Sequence, residues 1–322
     1  MVKELELDSQ AADLAFSLFQ QGLPPLAHPH CLPYLFAVSP KLIGAMEKHS
    51  DKYYREFPIK KRKGGVRVIQ APRRFMKLIQ RWLLDHVLAA QPISDRAMGF
   101  RKGSSIFRHA SEHVGNRNLL CLDIADFFPS VKRGQVDQVF GGIGFPKTVV
   151  RQLSGLCTIR GRLPQGAPTS PAIANLVFAS CDDELEQLAS AWGATYSRYA
   201  DDLAFSGSLV FQNEHVDAIR EHIQKHGFAV NATKTRWIGS GGRKVVTGLV
   251  VNSAPKPPRE WRRLWRATFD RASKHPHEYT GRLAVLGGIA SFVNQFDPVT
   301  AERYRTIVAR IADVRTRLST LE

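Results

Sequence analysis

Three aspartates have the residue type and the surroundings for phosphoryl-transfer chemistry. Asp123 ends the apolar run NLLCLD, and Asp201 and Asp202 are adjacent within TYSRYADDLAFSG. Clustered carboxylates repel one another, so such a group makes sense when divalent cations such as Mg²⁺ neutralise it. Two cations can activate an attacking hydroxyl and stabilise the leaving oxygen of an in-line displacement. The three residues therefore predict a two-metal site, provided that the fold brings them together.

An α+β unit is predicted to position these acids. NLLCLDIADFF is expected to be a strand, and TYSRYADDLAFSG a hairpin with both acids in its turn. Between them, Ser170 and Pro171 open a long helix. A helix at about 214–226 then leads to a strand pair, FAVNATKTRWI and KVVTGLVVN, on either side of a glycine-rich turn. Asp126 is interpreted as a local structural acid, and Asp182 and Asp183 as a solvated helix face.

The flanking segments are basic. Residues 52–81 contain eleven Lys and Arg against one Glu, and the strands YREFPIK and VRVIQAP are expected to form a hairpin there. Short helices are expected over residues 1–50, and a basic helical region beyond residue 252. The chain has 45 Lys and Arg against 29 Asp and Glu, a net charge of +16. This charge predicts a polyanionic partner, although a membrane surface or an acidic protein would also satisfy it.

The sequence also predicts a cytosolic protein without a membrane partner. No run approaches the roughly 18 apolar residues of a membrane span, and the start MVKELELDSQ does not resemble a secretion signal. The four cysteines lie far apart without a CxxC pair, which argues against a disulfide framework or a zinc ribbon. His109 and His113 have the spacing of a metal pair, but we see no third ligand and favour a packing or RNA-facing role.

Four motifs, taken in order, resemble those of the reverse transcriptase family. They are LDIADFFPSV (122–131), LPQGAPTSPAIAN (163–175), YADD (199–202) and GFAVNATK (227–234). The resemblance covers roughly residues 50–300 and implies a right-hand α+β polymerase fold with an RRM-like palm. The implied units are an N-terminal helical extension (1–50), fingers (51–118), a palm (119–251) with an interleaved finger segment at about 135–170, and a helical thumb (252–322).

The resemblance implies roles for the acids and for the residues around them. Asp123, Asp201 and Asp202 match the ligands of two Mg²⁺ ions, with Mn²⁺ as an alternative, and the backbone carbonyl of Ile124 matches a further ligand. Phe128 matches a steric gate that crowds a 2′-hydroxyl and so predicts deoxynucleotide substrates. One of the two adjacent rings, Phe127 or Phe128, is expected to be a core aromatic because neighbours on a strand point to opposite faces.

Further positions match residues that contact the nucleotide. Gln165 and Gly166 match a turn that meets nucleotide and template. Lys60 and Arg67 match cations that clamp the triphosphate, with a solvated basic strand as the alternative for Lys60. Lys234 matches a lysine that protonates departing pyrophosphate, and phosphate positioning is the alternative.

Within the family, the chain resembles the compact bacterial retron reverse transcriptases. Val246, Thr247 and Gly248 match a retron hallmark, VTG. HASEH (109–113) resembles a second one, Asn-Ala-x-x-His, with His109 in place of the asparagine. These positions and His113 are therefore candidates for RNA or primer contact. Trp261 and Trp265, spaced i,i+4 among arginines, could also stack on RNA, or pack the thumb on the palm.

The retron resemblance implies a structured non-coding RNA as template and primer, deoxynucleotide substrates and a branched RNA–DNA product. It also implies a role in antiphage defence with a separate effector protein. Two rival interpretations stay open at this stage. One is a free-standing defence or group II intron-like reverse transcriptase without a branched product. The other is a polymerase-fold scaffold that only binds structured RNA, which would not need the three aspartates.

Overall fold

A computed structural model describes residues 5, 7–61 and 64–319 of the chain. The chain is 54% helical and 15% strand, which confirms the α+β class. Across the described residues, no helix is both long enough and apolar enough to span a membrane.

The first part of the chain is helical and carries one long hairpin. Its helices and strands are α1 (Ser9–Gln20), α2 (Cys31–Leu35), α3 (Pro40–Lys48), β1 (Tyr54–Lys60), β2 (Val66–Pro72), α4 (Arg74–Leu83), a π-helical turn (Leu84–Leu88) and α5 (Ile106–Ser111). β1 and β2 pair in the register that places Lys60 opposite Val66, which confirms the predicted hairpin. Tyr54 alone in β1 is buried, so most of this arm faces solvent.

A four-stranded antiparallel sheet forms the centre of the molecule. The central elements are β3 (Asn118–Asp123), α6 (Phe127–Ser130), α7 (Arg133–Gly142), α8 (Lys147–Cys157), α9 (Ser170–Ala191), β4 (Ala194–Tyr199), β5 (Asp202–Gly207), α10 (Asn213–Lys225) and β6 (Arg236–Ile238). The strands lie in the order β4-β5-β3-β6. With α9 and α10 as connections, this is the β-α-β-β-α-β arrangement of RRM-like domains, as expected for the palm.

Two sequence predictions near this sheet are wrong. FAVNATKTRWI is not one strand, because Ala232–Lys234 form a 3₁₀ turn and only β6 pairs, with β3. KVVTGLVVN is a small hairpin of β7 (Val245–Val246) and β8 (Leu249–Val250). Its two turn residues, Thr247 and Gly248, both have positive φ, at 44° and 84°. Positive φ at both central positions is the geometry that joins strands by two residues.

The last part of the chain is a helical unit with its own apolar core. It contains α11 (Arg259–Lys274), a 3₁₀ segment (Pro276–Arg282), α12 (Leu283–Val293) and α13 (Pro298–Ser319). Phe269 and Tyr304 stack in this core with ring centroids 3.7 Å apart. The larger core joins the first helices to the sheet, since Leu18, Ile43 and Leu120 of β3 belong to one buried cluster. The predicted domain boundaries stay a prediction.

Candidate active site

The ends of two neighbouring strands bring the three aspartates together. Asp123 is the last residue of β3 and Asp202 the first of β5, and the antiparallel register places them opposite each other. Asp201 lies in the turn that follows Ala200, whose φ of 59° is left-handed. The amide of Ile124 donates to the carbonyl oxygen of Asp201 at 2.8 Å, so the turn is tied to the next residue of β3. Carboxylates 78 residues apart in sequence thus share one site.

Burial and mutual repulsion perturb the acids. Burial, followed by the charges of Asp201 and Asp123, raises the pKa of Asp202 to about 6. Burial is also the main cause that raises the pKa of Asp201. The Asp123 Oδ2 atom accepts a hydrogen bond from Lys234 Nζ at 2.6 Å. Because the carboxylates are partly buried and repel one another, they favour the binding of a positive charge between them.

The acids fit divalent cations by their chemistry. Hard carboxylate oxygens are the ligands that Mg²⁺ and Mn²⁺ prefer. In the described part of the chain, no three His, Cys, Asp or Glu side chains already form a cluster able to hold a metal ion. Lys234 instead supplies the positive charge at Asp123. Metal binding at these acids therefore stays a prediction, and so does the role of the Ile124 carbonyl.

A cavity of about 300 Å³ opens onto the acids and gathers most of the predicted substrate-contacting residues. Its walls come mainly from the basic hairpin, the β3–α6 connection and the turn that carries Asp201. They include Lys61, Arg67, Phe100, Asp123, Ile124, Asp126, Phe128, Gln165, Asp201, Asn231 and Lys234. Cations and carboxylates thus face one another across a space large enough for part of a nucleotide.

Lys60 is not among the residues that line this cavity, and Lys61 takes its place. In the hairpin register Arg67 lies opposite Ile59, and Lys60 opposite Val66. Because successive side chains alternate between faces, Lys61 shares the face of Arg67 and Lys60 points to the other face. Sequence analysis missed Lys61 because the phase of this alternation depends on how the hairpin pairs.

Phe128 lies at the cavity, but not on a strand. β3 ends at Asp123, and the chain turns through Asp126, whose φ is 44°, into the short helix α6. Both rings line the cavity, but Phe127 is 4% exposed and belongs to the core, whereas Phe128 is partly buried and packs against the core. The expectation of one core ring is confirmed. The expected strand geometry is wrong, because β3 ends at Asp123 and both rings lie on α6, which follows the left-handed Asp126.

Gln165 and Gly166 hold the connection before α9 against the hairpin. The amide of Gln70 donates to the carbonyl oxygen of Gln165 at 2.8 Å. Gly166 has a φ of 133°, and a Cβ there would lie 3.0 Å from the Gln70 carbonyl oxygen and from Ile69 Cγ2. Only glycine fits both the conformation and the close approach. The turn thereby links the basic hairpin to the long helix.

A second cavity, of about 380 Å³, lies beside Asp202. It is lined by Tyr199, Arg236, His109, Thr247 and Gly248, among others. Asp202 thus faces a different space from Asp123 and Asp201. The two hallmark motifs meet here, since His109 Nδ1 lies 3.3 Å from Thr247 Oγ1.

His113 and Val246 are buried, although Val246 also lines the second cavity. His113 lies between Ser206 Oγ and Ser197 Oγ, at 2.7 Å from each. Burial lowers the pKa of His113 to about 3 and that of His109 to about 4, so both rings are neutral. For His113 this position favours packing over contact with RNA.

The two tryptophans differ in exposure. Trp261 is 38% exposed, next to Gly248, where a built Cβ would lie 3.7 Å from its ring. Trp265 is half-buried and its ring packs edge-on against Phe292, 5.8 Å between centroids. Trp261 also contacts Trp265, with ring centroids 6.0 Å apart, and it keeps the more exposed ring of the two, whereas Trp265 contributes mainly to packing.

A buried ion pair lies behind the turn that carries Asp201. Asp182, expected on a solvated helix face, is fully buried and accepts from Arg198 Nε at 2.8 Å and from the Tyr196 hydroxyl at 2.7 Å. Arg198 Nη1 also donates to the carbonyl oxygen of Ala200 at 3.0 Å. The expectation for Asp182 is wrong because its partner comes from β4. Its neighbour Asp183 is exposed as expected.

Comparison with known proteins places this site in a family. The family model described as Reverse transcriptase (RNA-dependent DNA polymerase) matches residues 59–281. The chain is 38% identical to the Retron Mx65 reverse transcriptase of Myxococcus xanthus over 271 residues, 78% of this chain and 63% of that protein. It is 32% identical to the Retron Ec86 reverse transcriptase of Escherichia coli over 240 residues, 74% of this chain and 75% of that protein.

A third relative, the Retron Mx162 reverse transcriptase of Myxococcus xanthus, is 33% identical over 85% of this chain. The chain spans 63% of the length of each of the two Myxococcus xanthus relatives. The family match begins at the end of β1 and stops before α12, so it covers β2, the sheet and the three aspartates.

Proposed function

The chain belongs to the reverse transcriptase family, and on that premise we propose that it is the RNA-directed DNA polymerase of a bacterial retron. The observation that carries the proposal is that Asp123 and Asp201 face Lys61 and Arg67 around one cavity, while Asp202 is paired with Asp123 in the sheet. A scaffold that only binds RNA would need neither the acids nor their alignment. The proposed polymerase would act in the bacterial cytoplasm.

In this proposal Asp123, Asp201 and Asp202 hold two divalent cations, Mg²⁺ or Mn²⁺. The cations, when bound, would activate the attacking hydroxyl and stabilise the leaving oxygen. The chain supplies the geometry: β3 and β5 align the acids, and the tie from Ile124 to Asp201 holds the turn. The raised pKa of Asp202 would return towards its ordinary value once positive charge neutralises the acids.

The basic side chains and aromatic rings that line the cavity would bind the deoxynucleotide. Arg67 and Lys61 would hold the triphosphate by charge-assisted hydrogen bonds. Phe128 would crowd the sugar and exclude a 2′-hydroxyl. Lys234 is half exposed at the same cavity, and its Nζ atom would position or protonate the departing pyrophosphate.

The template and primer would be one structured non-coding RNA. The basic helix α11 presents Arg259, Arg262, Arg263 and Arg266 as exposed residues. With the net charge of +16, this surface suits an RNA backbone. In this proposal the primer would pass the cavity that Thr247 and Gly248 share with Asp202, with Trp261 next to Gly248. We propose that synthesis begins at a 2′-hydroxyl within this RNA, yields a branched RNA–DNA hybrid and serves antiphage defence together with a separate effector protein.

Extraction of the bound nucleic acid tests this function. The protein is purified from cells that carry its native flanking DNA, and the nucleic acid is treated separately with RNase, DNase and a 2′–5′ debranching enzyme. A short DNA released from RNA by debranching is the expected result. Primer extension on an RNA template without such a product would leave a reverse transcriptase that makes no branch. The absence of DNA synthesis with Mg²⁺ or Mn²⁺ would overturn the proposal.

A further inference from the structure

Phe100 has a backbone conformation that phenylalanine rarely adopts. Its φ is 61°, in the left-handed region, and its side chain is 51% exposed. Glycine or asparagine adopts this conformation at far lower cost than a bulky residue. Strain of this kind persists where the surrounding structure enforces it, and it concentrates at functional sites. The ring at this position therefore calls for a functional explanation.

The segment that carries Phe100 is held against the catalytic turn. The amide of Met98 donates to the Arg198 carbonyl oxygen at 2.7 Å, and Asn175 Nδ2 donates to the Gly99 carbonyl oxygen at 2.9 Å. A Cβ on Gly99 would lie 2.5 Å from the amide nitrogen of Ala200. The backbone on the N-terminal side of Phe100 is thus tightly placed by β4, α9 and the turn, and this placement limits where the ring can go.

The ring of Phe100 contacts the ring of Phe128. Their centroids are 5.9 Å apart with an interplanar angle of 49°. On another side, Phe127 contacts Phe128 at 5.5 Å and is itself packed in the core. Phe128 therefore has a buried ring and a strained, half-exposed ring as its aromatic neighbours.

The two rings also separate two spaces. Phe100 and Phe128 both line the cavity that holds Asp123 and Asp201, and both line a cleft of about 580 Å³ that holds Lys77 and Arg81. Movement of Phe128 towards this cleft would widen the space beside the acids. Phe100 stands at that boundary.

We propose that Phe100 is a positioning residue for sugar selection, which keeps the Phe128 ring from yielding to a 2′-hydroxyl. The inference rests on the proposed polymerase function. A 2′-hydroxyl adds one oxygen atom, and an apolar wall that can shift rejects such a small addition poorly. Rejection therefore needs a ring whose position is fixed by packing around it. Phe127 supplies one contact from the core, and Phe100 supplies the contact at the cavity boundary.

The test compares ring removal with ring retention at position 100. Phe100→Gly and Phe100→Asn remove the ring while suiting the left-handed backbone, so the thermal midpoint is expected to be unchanged or raised. Phe100→Tyr keeps the ring. The measured quantity is the ratio of kcat/KM for a deoxynucleotide to that for the matching ribonucleotide on an RNA template. Phe128→Ala gives the discrimination that remains without the gate.

Phe100→Gly and Phe100→Asn are expected to lower the ratio roughly three- to tenfold, the range set by loss of one aromatic pair. Phe100→Tyr, which keeps the ring, is expected to have the same ratio as the wild-type protein. Removal of both rings should add little to Phe128→Ala, because both act through one ring.

Three outcomes would overturn the inference, and they are distinguishable. If Phe100→Gly discriminates as well as the wild-type protein while Phe128→Ala discriminates less, the role of Phe100 is contradicted and that of Phe128 is not. Unchanged discrimination in Phe128→Ala would contradict the gate and with it the inference, while polymerase function stands. No DNA synthesis by the wild-type protein would contradict the proposed function itself.

Discussion

The acidic and the basic sides of the cavity are built differently. The turn with Asp201 is backed by Arg198, which is fully buried with its partner Asp182 and bonded to the Ala200 carbonyl. The hairpin with Lys61 and Arg67 is mostly exposed and is held by strand pairing and by a few contacts at its base. The acidic side is therefore supported by buried contacts in the core, whereas the basic side is supported mainly by pairing within its own hairpin.

The difference teaches how each side has to work. Carboxylates that hold cations need fixed geometry, because small displacements at a reacting centre are costly. Cations that meet a triphosphate act over longer distances and tolerate an exposed arm. Four experiments, from the largest expected effect to the smallest, test this contrast.

Asp201→Asn should abolish DNA synthesis, with a loss on the order of 10³-fold in kcat, because a metal site worth several kcal/mol loses a ligand charge. Primer extension at saturating nucleotide measures it. Asp126→Asn is the matched control: this acid lines the same cavity but is exposed, and less than about tenfold loss is expected. Equal losses in the two variants would contradict the assignment of the metal ligands.

Asp182→Asn should destabilise the fold by about 3–5 kcal/mol, because Arg198 would keep its charge without a buried counter-ion. Urea unfolding followed by circular dichroism measures the change. Asp183→Asn removes the same charge from the adjacent exposed position, and a change within about 0.5 kcal/mol is expected. Similar stability of the two variants would break the contrast between a buried and an exposed support.

Lys61→Ala should lower kcat/KM for deoxynucleotides by roughly tenfold, the lower end for a charge-assisted hydrogen bond on an exposed arm. Lys60→Ala should have the smaller effect, because Lys60 lies on the other face of the hairpin. Steady-state kinetics at fixed salt concentration compare the two. A larger effect of Lys60→Ala would show that the hairpin presents its other face to the substrate.

His109→Asn should reduce the sensitivity of stability to acid. The folded-state pKa of His109, about 4, is below its ordinary value of 6.5, so the unfolded chain binds more protons between these values. The contribution of His109 to the free energy of unfolding is therefore fully present above pH 6.5, and it is lost as the pH falls towards 4. Thermal unfolding at pH 8 and pH 5 should show a smaller loss for the variant, by on the order of 1 kcal/mol. An unchanged loss would exclude His109 as a source of acid sensitivity.

Residue types and their order in the sequence determined the class of chemistry. Asp123, Asp201 and Asp202, within four motifs that stand in the order of the reverse transcriptase family, predicted that family from sequence alone. The α+β arrangement and the basic hairpin were also readable, because alternation and turn residues are local signals. These features can be predicted from the sequence because each depends on residues that are close together in the chain.

Only the tertiary structure decided which side chains point where. Whether Lys60 or Lys61 reaches the cavity depends on the phase of strand pairing, which a shift of one residue reverses. Burial of Asp182 depends on Arg198, which arrives from another element, and sequence distance carries no signal of that pairing. The contact of Phe100 with Phe128 likewise needs a loop and the short helix α6 to meet. Such positions are settled by packing between distant segments, which the order of residues does not reveal.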